Sequence, residues 1–209
     1  MSSSLAAGDA EILSEETVHR GRFPKQLVRF RYRRFDGSMS DALTWEIWRR
    51  GRAVAVLPYD PATDQVVLIE QFRLPAHYAG MEPRMLEVPA GLLEGDDPEH
   101  CARRETQEET GLELSAIERL GEFLLTPGGS DETIVIFAGR IAAPSADADG
   151  IAGHFGLAEE NEDIRVRVFE ASDAIAAAFD GRVQNATTAI ALSWLGLNRA
   201  RLRRAWSAK

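Results

Sequence analysis

Hydrophobic and polar residues alternate along several short stretches of this chain, a pattern typical of half-buried β-strands. From Gln26, the sequence QLVRFRYRRF places Val28, Phe30 and Tyr32 on one side and arginines on the other. Further strands are predicted for ALTWEIW, RAVAVLPY, DQVVLIEQFR, RMLEVPAGLL, IERLGEFLL, ETIVIFAGRI and IRVRVFE. The first two strands indicate a small antiparallel unit that ends near residue 50. A few strands alone are marginally stable, so this unit should pack on another surface.

Three helices are predicted, one near the middle of the chain and two near its end. Asp97 is suited to cap the first helix, Pro98 to form its first turn, and Gly111 to end it in the left-handed conformation. SDAIAAAFDG predicts a short helix, and residues 186–205 predict an amphipathic closing helix. Residues 144–164 are small, acidic and glycine-containing, which indicates a mobile loop. Because strands and helices are interleaved, the predicted class is mixed α and β.

The composition is that of an ordinary globular chain of 209 residues, enough for one domain, or one domain with a small appendage. The formal net charge of −9 argues against a general nucleic-acid binder. Residues 17–52 nevertheless carry +7, against −16 elsewhere, which is consistent with an anion-binding region or with solvated strand faces.

Three further features indicate a cytoplasmic protein. The N-terminus has no signal-peptide pattern, and no apolar run is long enough to span a membrane. Cys101 is the single cysteine, so an intrachain disulfide is excluded and a reducing compartment is expected.

The sequence RRETQEETGL crowds three carboxylates, those of Glu105, Glu108 and Glu109, at the end of the central helix. Like charges at this spacing cost about 0.2–0.5 kcal/mol per pair, and the helix dipole disfavours them further. A divalent cation would reverse that cost, and oxygen ligands favour a hard ion such as Mg²⁺ or Mn²⁺. The alternative is a solvated helix stabilised by ion pairs such as Arg104–Glu108.

The segment GLLEGDDPEHCARRETQEETGL, residues 91–112, resembles a Nudix box. The residues that match the family pattern in register are Arg104, Glu105, Glu108, Glu109, Gly111 and Leu112. Compared with the family pattern, the loop after Gly91 is shorter by one residue, and Asp96 or Asp97 stands where the pattern has its first glutamate. Thr106 occupies a position that is usually hydrophobic.

The resemblance extends over nearly the whole chain, to the ADP-ribose pyrophosphatase branch of the Nudix hydrolases. It is carried by VLPYDPATDQVVLIEQFR, LEVPAGLLEG, TPGGSDE, LAEENEDIRV and TTAIALSWL. It implies an α/β/α sandwich with a mixed sheet, formed by a Nudix domain over residues 51–209 after a β unit over residues 1–50. It also implies a homodimer in which the N-terminal β unit is exchanged and contributes to the partner's site.

The same resemblance implies a metal-dependent hydrolase that converts ADP-ribose to AMP and ribose 5-phosphate, with Mg²⁺ or alternatively Mn²⁺. The implied metal ligands are Glu105, Glu109 and the backbone carbonyl of Ala90. Glu108 is then either a further ligand or a group behind the ligands, oriented by Arg104. The implied general base is a glutamate of the acidic segment, with Glu160 as the first choice and Glu162 as the second.

Further positions correspond to substrate contacts in this branch of the family. Arg73 matches a position that contacts a phosphate or the terminal ribose. Substrate contacts are also implied for Glu132, Gly128 and Gly129, where the glycines allow close backbone approach. Arg22 and Trp45 take the two positions that sandwich the adenine, although a slip of one residue would replace Arg22 by Phe23.

Two alternative functions are consistent with the same fold. The short box loop GLLEGDDPE also resembles relatives that hydrolyse GDP-mannose, and other nucleoside diphosphate sugars would use the same chemistry. A Nudix-fold module that senses a nucleotide without catalysis is the second alternative. It would be expected to have lost part of the glutamate cluster, which is complete here.

Overall fold

The computed structural model describes residues 8–157 and 162–207, which belong to two compact units. The first unit is formed by Met1–Arg52 and Leu124–Thr133, and the second by Ala53–Phe123 and Ile134–Lys209. The segment Leu124–Thr133 therefore belongs to the first unit although it is distant from the rest of that unit in sequence.

The first unit is built on a three-stranded antiparallel sheet. Its strands, in spatial order, are β1 (Ala10–His19), β2 (Lys25–Tyr32) and β3 (Leu43–Trp48). The sequence predicted β2 and β3 but not β1, because AEILSEETVH lacks a regular alternation. Among the described residues of this unit, Val28 is the only buried hydrophobic residue, so the sheet encloses almost no core of its own.

The second unit is built on an eight-stranded sheet. Its strands are β4 (Arg52–Asp60), β5 (Gln65–Phe72), β6 (Arg84–Glu87), β7 (Ala90–Leu92), β8 (Ala116–Leu124), β9 (Thr133–Arg140), β10 (Ile151–Phe155) and β11 (Ile164–Glu170). The order is β10-β11-β5-β4-β9-β8, with β6 beside β5 and β7 beside β4. The single strand predicted for RMLEVPAGLL is divided at Val88 and Pro89 into β6 and β7.

Four helices accompany this sheet: α1 (Leu74–Tyr78), α2 (Pro98–Thr110), α3 (Ala171–Asp180) and α4 (Ala186–Ser207). The last three were predicted, and α1 was not. The predicted ends of α2 are confirmed, because the Asp97 carboxylate accepts the N–H groups of Glu99 and His100 and Gly111 has φ of 71°. Within the described ranges, no helix combines the length and the apolar character of a membrane span.

Both faces of this sheet are buried. Val54 and Val56 of β4 pack with Cys101 and Ala102 of α2 in one core. The intervening residues, Ala55, Leu57 and Tyr59, are buried on the opposite face, where Tyr59 contacts Trp206 of α4. Such burial on two faces places the sheet between helices, as in a layered α/β fold.

The prediction of a loop throughout residues 144–164 is wrong for Ile151–Phe155. These residues form β10, which pairs antiparallel with β11. The strand depends on this pairing rather than on its own composition, which includes a glycine and a histidine. The ring of Phe155 also lies against Gly111, where a Cβ atom would come within 2.5 Å of it.

Candidate active site

Helix α2 directs Glu105 and Glu109 towards β7. The Ala90 N–H donates to Oε2 of Glu109 over 2.9 Å. Gly91 provides space for Glu105, because a Cβ atom on Gly91 would lie 1.9 Å from the Glu105 carboxyl carbon. Ala90 and Gly91 therefore contact the two glutamates that the sequence predicted as principal metal ligands. The contact of Ala90 is made through its N–H group, whereas the predicted metal ligand is its carbonyl.

Arg104 joins the other carboxylates of this helix. Its Nη2 atom lies 2.7 Å from Oε1 of Glu105, and its Nη1 atom lies 2.9 Å from Oε2 of Glu108. The i,i+4 pair between Arg104 and Glu108 is the contact that the spacing predicted. One guanidinium thus offsets part of the negative charge at the end of α2.

Glu109 is the most deeply buried carboxylate of the cluster, with 5% of its surface exposed. Burial raises its pKa to about 8, and the charges of Glu105 and Glu162 act in the same direction, against the Ala90 N–H and Arg73. Burial also raises the pKa of Glu105. The raised pKa means that nearby positive charge does not compensate for the burial of the charged carboxylate.

This donor set fits a hard divalent cation, which is bound by carboxylate and carbonyl oxygens. Among residues 8–157 and 162–207, no three histidine, cysteine or acidic side chains are already arranged as a metal site. Instead, Arg104 and the Ala90 N–H satisfy the carboxylates. Small side-chain movements that exchange these partners for a cation would therefore be needed.

Glu162 lies close enough to influence this cluster. Its charge contributes to the raised pKa values of Glu105 and Glu109. Its Oε2 atom accepts the N–H of Leu157 over 3.3 Å, and its own N–H donates to the Leu157 carbonyl over 3.2 Å. The first-choice base, Glu160, lies outside the described residues.

Arg73 follows β5 and forms a forked ion pair with Glu87, at the end of β6. Its Nε atom lies 3.2 Å from both carboxylate oxygens of Glu87, and its Nη2 atom lies 2.7 Å from Oε2. Burial lowers the pKa of Arg73, but the hydrogen bonds and charge of Glu87 raise it above its ordinary value, and the charges of Glu109 and Glu162 act in the same direction. The guanidinium is therefore within electrostatic range of the carboxylate cluster.

The remaining predicted contacts belong to the first unit. Glu132 pairs with Arg50, whose Nη2 atom lies 2.9 Å from Oε1 of Glu132. The Arg50 guanidinium also stacks against the rings of Phe23 and Trp48, at 4.1 and 4.9 Å from their centroids. The Gly129 carbonyl accepts the Trp48 N–H over 2.8 Å. The loop that carries the predicted glycines is thus attached to the end of β3.

Gly128 and Gly129 face open space, since an added Cβ atom on either would meet no atom within 4 Å. Among the described residues, the Arg22 guanidinium contacts the ring of Phe23 and makes no such contact with Trp45. Trp45 pairs with Val28 in the middle of β2, whereas Arg22 lies in the bend that precedes β2.

Three residues of these sites were not singled out from the sequence. Glu87 appeared only as part of the motif LEVPAGLLEG, and Asn185, which donates to Glu87, lies 98 residues away from it. Arg50 appeared only as one of many arginines in a basic segment. Their partners are distant in sequence, so no local spacing pointed to them.

The chain belongs to the Nudix family: residues 49–189 match the family model described as NUDIX domain. The family prediction is therefore confirmed, and the protein is a Nudix hydrolase. It is similar to the ADP-ribose pyrophosphatase of Escherichia coli (strain K12), with 42% identity over 205 residues, 98% of this chain and 96% of the relative. The ADP-ribose pyrophosphatase of Haemophilus influenzae is 40% identical over 95% of this chain and 91% of its own length.

Similarity to another type of pyrophosphatase is less extensive. The GDP-mannose pyrophosphatase of Yersinia enterocolitica is 36% identical over 150 residues, which are 71% of this chain and 75% of that protein. A solved structure described as an ADP compounds hydrolase matches with a TM-score of 0.66, covers 91% of this chain and 97% of its own, and is 22% identical. This match concerns the fold, and it confirms the predicted α/β class with a small antiparallel N-terminal sheet.

Proposed function

We propose that this protein hydrolyses the pyrophosphate of ADP-ribose and releases AMP and ribose 5-phosphate. The observation that carries this proposal is the 42% identity to ADP-ribose pyrophosphatase over 98% of the chain, which includes the N-terminal unit. GDP-mannose is the second candidate substrate, supported by 36% identity over 71% of the chain. The complete glutamate cluster of α2 supports catalysis rather than nucleotide sensing alone.

Glu105, Glu109 and the Ala90 carbonyl are the proposed ligands of Mg²⁺, or of Mn²⁺ in its place. Glu108 is a further ligand or orients the others, and Arg104 holds it through their ion pair. When bound, the metal supplies positive charge that stabilises the charge developing on the phosphates. The raised pKa of Glu109 supports this assignment, because a nearby cation would favour its charged form.

A glutamate of the acidic segment is the proposed general base, Glu160 first and Glu162 second. Its carboxylate would take a proton from the attacking water, which must lie within hydrogen-bond reach. The electrostatic influence of Glu162 on Glu105 and Glu109 supports placing this segment at the cluster.

Arg73, Glu132, Gly128 and Gly129 are proposed to contact the substrate. Arg73 supplies a cationic group for a phosphate or the terminal ribose, and the two glycines leave room beside the backbone. The adenine is proposed to lie between Arg22 and Trp45. In the exchanged dimer that the family resemblance implies, each of two chains would supply one of these residues.

A homodimer formed through the first unit is therefore part of the proposal. Nine of the ten residues of β1 are exposed, and Ile12, Val18, Tyr32 and Trp45 are large exposed hydrophobic residues. A sheet of this size is marginally stable by itself, and a second copy would cover these side chains. Light scattering after gel filtration should give twice the mass of one chain. A monomer at micromolar concentration would contradict the dimer.

A cytoplasmic location is also proposed, in keeping with the single buried free thiol of Cys101. Metal ions and nucleotide sugars would both be available to the enzyme there.

Initial rates on ADP-ribose, GDP-mannose and NADH with Mg²⁺ test the substrate. We expect the highest kcat/KM on ADP-ribose, and a clear preference for GDP-mannose would replace the first candidate by the second. Glu109→Gln tests the metal-binding cluster and should lower kcat at least about a hundredfold. Glu113 is exposed and lies three residues after the end of α2, so Glu113→Gln serves as the matched control.

A further inference from the structure

The ion pair between Arg73 and Glu87 leaves one edge of the guanidinium available. Glu87 engages Nε and Nη2 of Arg73, so the Nη1 edge is outside the pair. Glu87 is buried, with 6% of its surface exposed, whereas 39% of the Arg73 side chain is accessible. The carboxylate is thus the buried partner, and Arg73 is the more accessible one.

Glu87 is itself held from behind by the start of α4. The Asn185 Nδ2 group donates to Oε1 of Glu87 over 3.4 Å. The Asn185 Oδ1 atom accepts the N–H and the hydroxyl of Thr188, and the Thr188 hydroxyl oxygen accepts the Val88 N–H over 3.0 Å. A continuous set of hydrogen bonds therefore ties the end of β6 to the first turn of α4.

The backbone at Arg73 does not need this ion pair. Its N–H donates to the Pro83 carbonyl over 2.7 Å, and its carbonyl accepts the Ala76 N–H at the first turn of α1. A buried ion pair is also weak evidence for stability, since the cost of desolvating two charges often offsets their attraction. What the pair determines is the direction of the Arg73 side chain.

That direction matters because other carboxylates compete for Arg73. Glu109 and Glu162 are close enough for their charges to act on the guanidinium. Released from Glu87, the flexible arginine side chain would be drawn towards these negative charges. It would then occupy the carboxylate proposed to bind the metal and would be turned away from the substrate.

We propose that Glu87, supported by Asn185, is a positioning residue: it holds Arg73 with its Nη1 edge ready for a substrate phosphate and away from the metal-binding glutamates. This inference rests on the proposed function, in which Arg73 contacts the substrate. It adds a residue that acts through Arg73 without touching the substrate itself.

The first test is Glu87→Gln, which keeps the size of the side chain and removes its charge. We expect KM for ADP-ribose to rise about tenfold, the value of one charge-assisted contact, with kcat changed by less than about threefold. The apparent Kd for Mn²⁺, measured by electron paramagnetic resonance without substrate, should also rise as Arg73 competes for Glu109. Glu118→Gln is the matched control, because it breaks a bidentate pair with Arg201 elsewhere in the same unit. It should change neither KM nor the Kd for Mn²⁺.

A second variant guards against a folding defect in Glu87→Gln. Asn185→Asp retains an oxygen that can cap α4, and aspartate caps helices as well as asparagine does. It replaces the donor to Glu87 by a repelling oxygen, so KM should rise in the same direction while the thermal midpoint is retained. An unchanged KM in both Glu87→Gln and Asn185→Asp would overturn the inference.

A double-variant cycle with Arg73→Lys separates this inference from the proposed function. If Glu87 acts through Arg73, Glu87→Gln should raise KM in the wild-type background and have little further effect in Arg73→Lys. If the two substitutions instead raise KM by independent factors that multiply in the double variant, the positioning role of Glu87 would be overturned and the role of Arg73 would remain. An unchanged KM in Arg73→Lys alone would instead overturn the proposed contact between Arg73 and the substrate.

Discussion

Replacing Glu109 by glutamine should make the metal-free protein less sensitive to pH. Burial raises the pKa of Glu109 from its ordinary value of 4.5 to about 8. The folded state therefore binds a proton that the unfolded chain releases above pH 4.5. The associated stability is fully present below the unfolded pKa and is lost as pH rises towards the folded pKa.

The magnitude follows from proton linkage. Between the two pKa values, each pH unit lowers the free energy of unfolding by about 1.4 kcal/mol for one bound proton. From pH 5 to pH 7, the wild-type protein should therefore lose about 3 kcal/mol through Glu109. Glutamine keeps an oxygen that can accept the Ala90 N–H and does not titrate, so Glu109→Gln should lack this loss.

Urea unfolding in EDTA, followed by circular dichroism at pH 5, 6 and 7, measures the effect. The quantity to compare is the difference in free energy of unfolding between the wild type and Glu109→Gln at each pH, because Glu105 and other groups titrate in both proteins. At pH 7, Mg²⁺ should raise the free energy of unfolding of the wild-type protein and should have little effect on that of Glu109→Gln. Parallel pH profiles for the two proteins without metal would refute the assignment of a raised pKa to Glu109.

Three further variants test other features of the structure. Gly91→Ala should lower kcat at least about a hundredfold with the fold retained by circular dichroism, because its Cβ atom would displace the Glu105 carboxylate; near-normal kcat would contradict this contact. Asp64→Ala should lower the free energy of unfolding by about 3 kcal/mol, since it removes the carboxylate partner of Arg199 at a residue with φ of 62°; a denaturation midpoint like that of the wild type would count against it. Trp45→Ala should raise KM for ADP-ribose about tenfold in a dimer of normal mass, as expected for loss of one base–aromatic contact; an unchanged KM would leave Trp45 only a packing role.

Features set by local rules were predictable from the sequence. The ends of α2 follow from the capping preferences of Asp97 and Gly111, which act within a few residues of each other and of the helix. The side-by-side placement of Glu105 and Glu109 follows from helical periodicity alone. The strands β4 and β5 were equally clear because each is a continuous run of apolar residues, which indicates burial on two faces.

Features set by distant partners were not predictable in this way. β10 became a strand through its pairing with β11, and its own five residues gave little indication of it. β1 has an irregular pattern because nearly all of its side chains are exposed within one chain. The pairing of Trp45 with Val28 depends on the register between β2 and β3, which alternation alone leaves undetermined.

The pairing of charges in the second unit indicates where a cation should bind. Among the described residues, Glu87 holds Arg73, and Arg104 is shared between Glu105 and Glu108. Arg73 and Arg104 are therefore engaged, and Glu109 and Glu162 have no ion pair in the described part of the chain. Glu109 is also the residue whose pKa burial raises most clearly in this cluster. A divalent cation gains most where a carboxylate is desolvated and lacks a cationic partner, so the first metal ion should bind against Glu109.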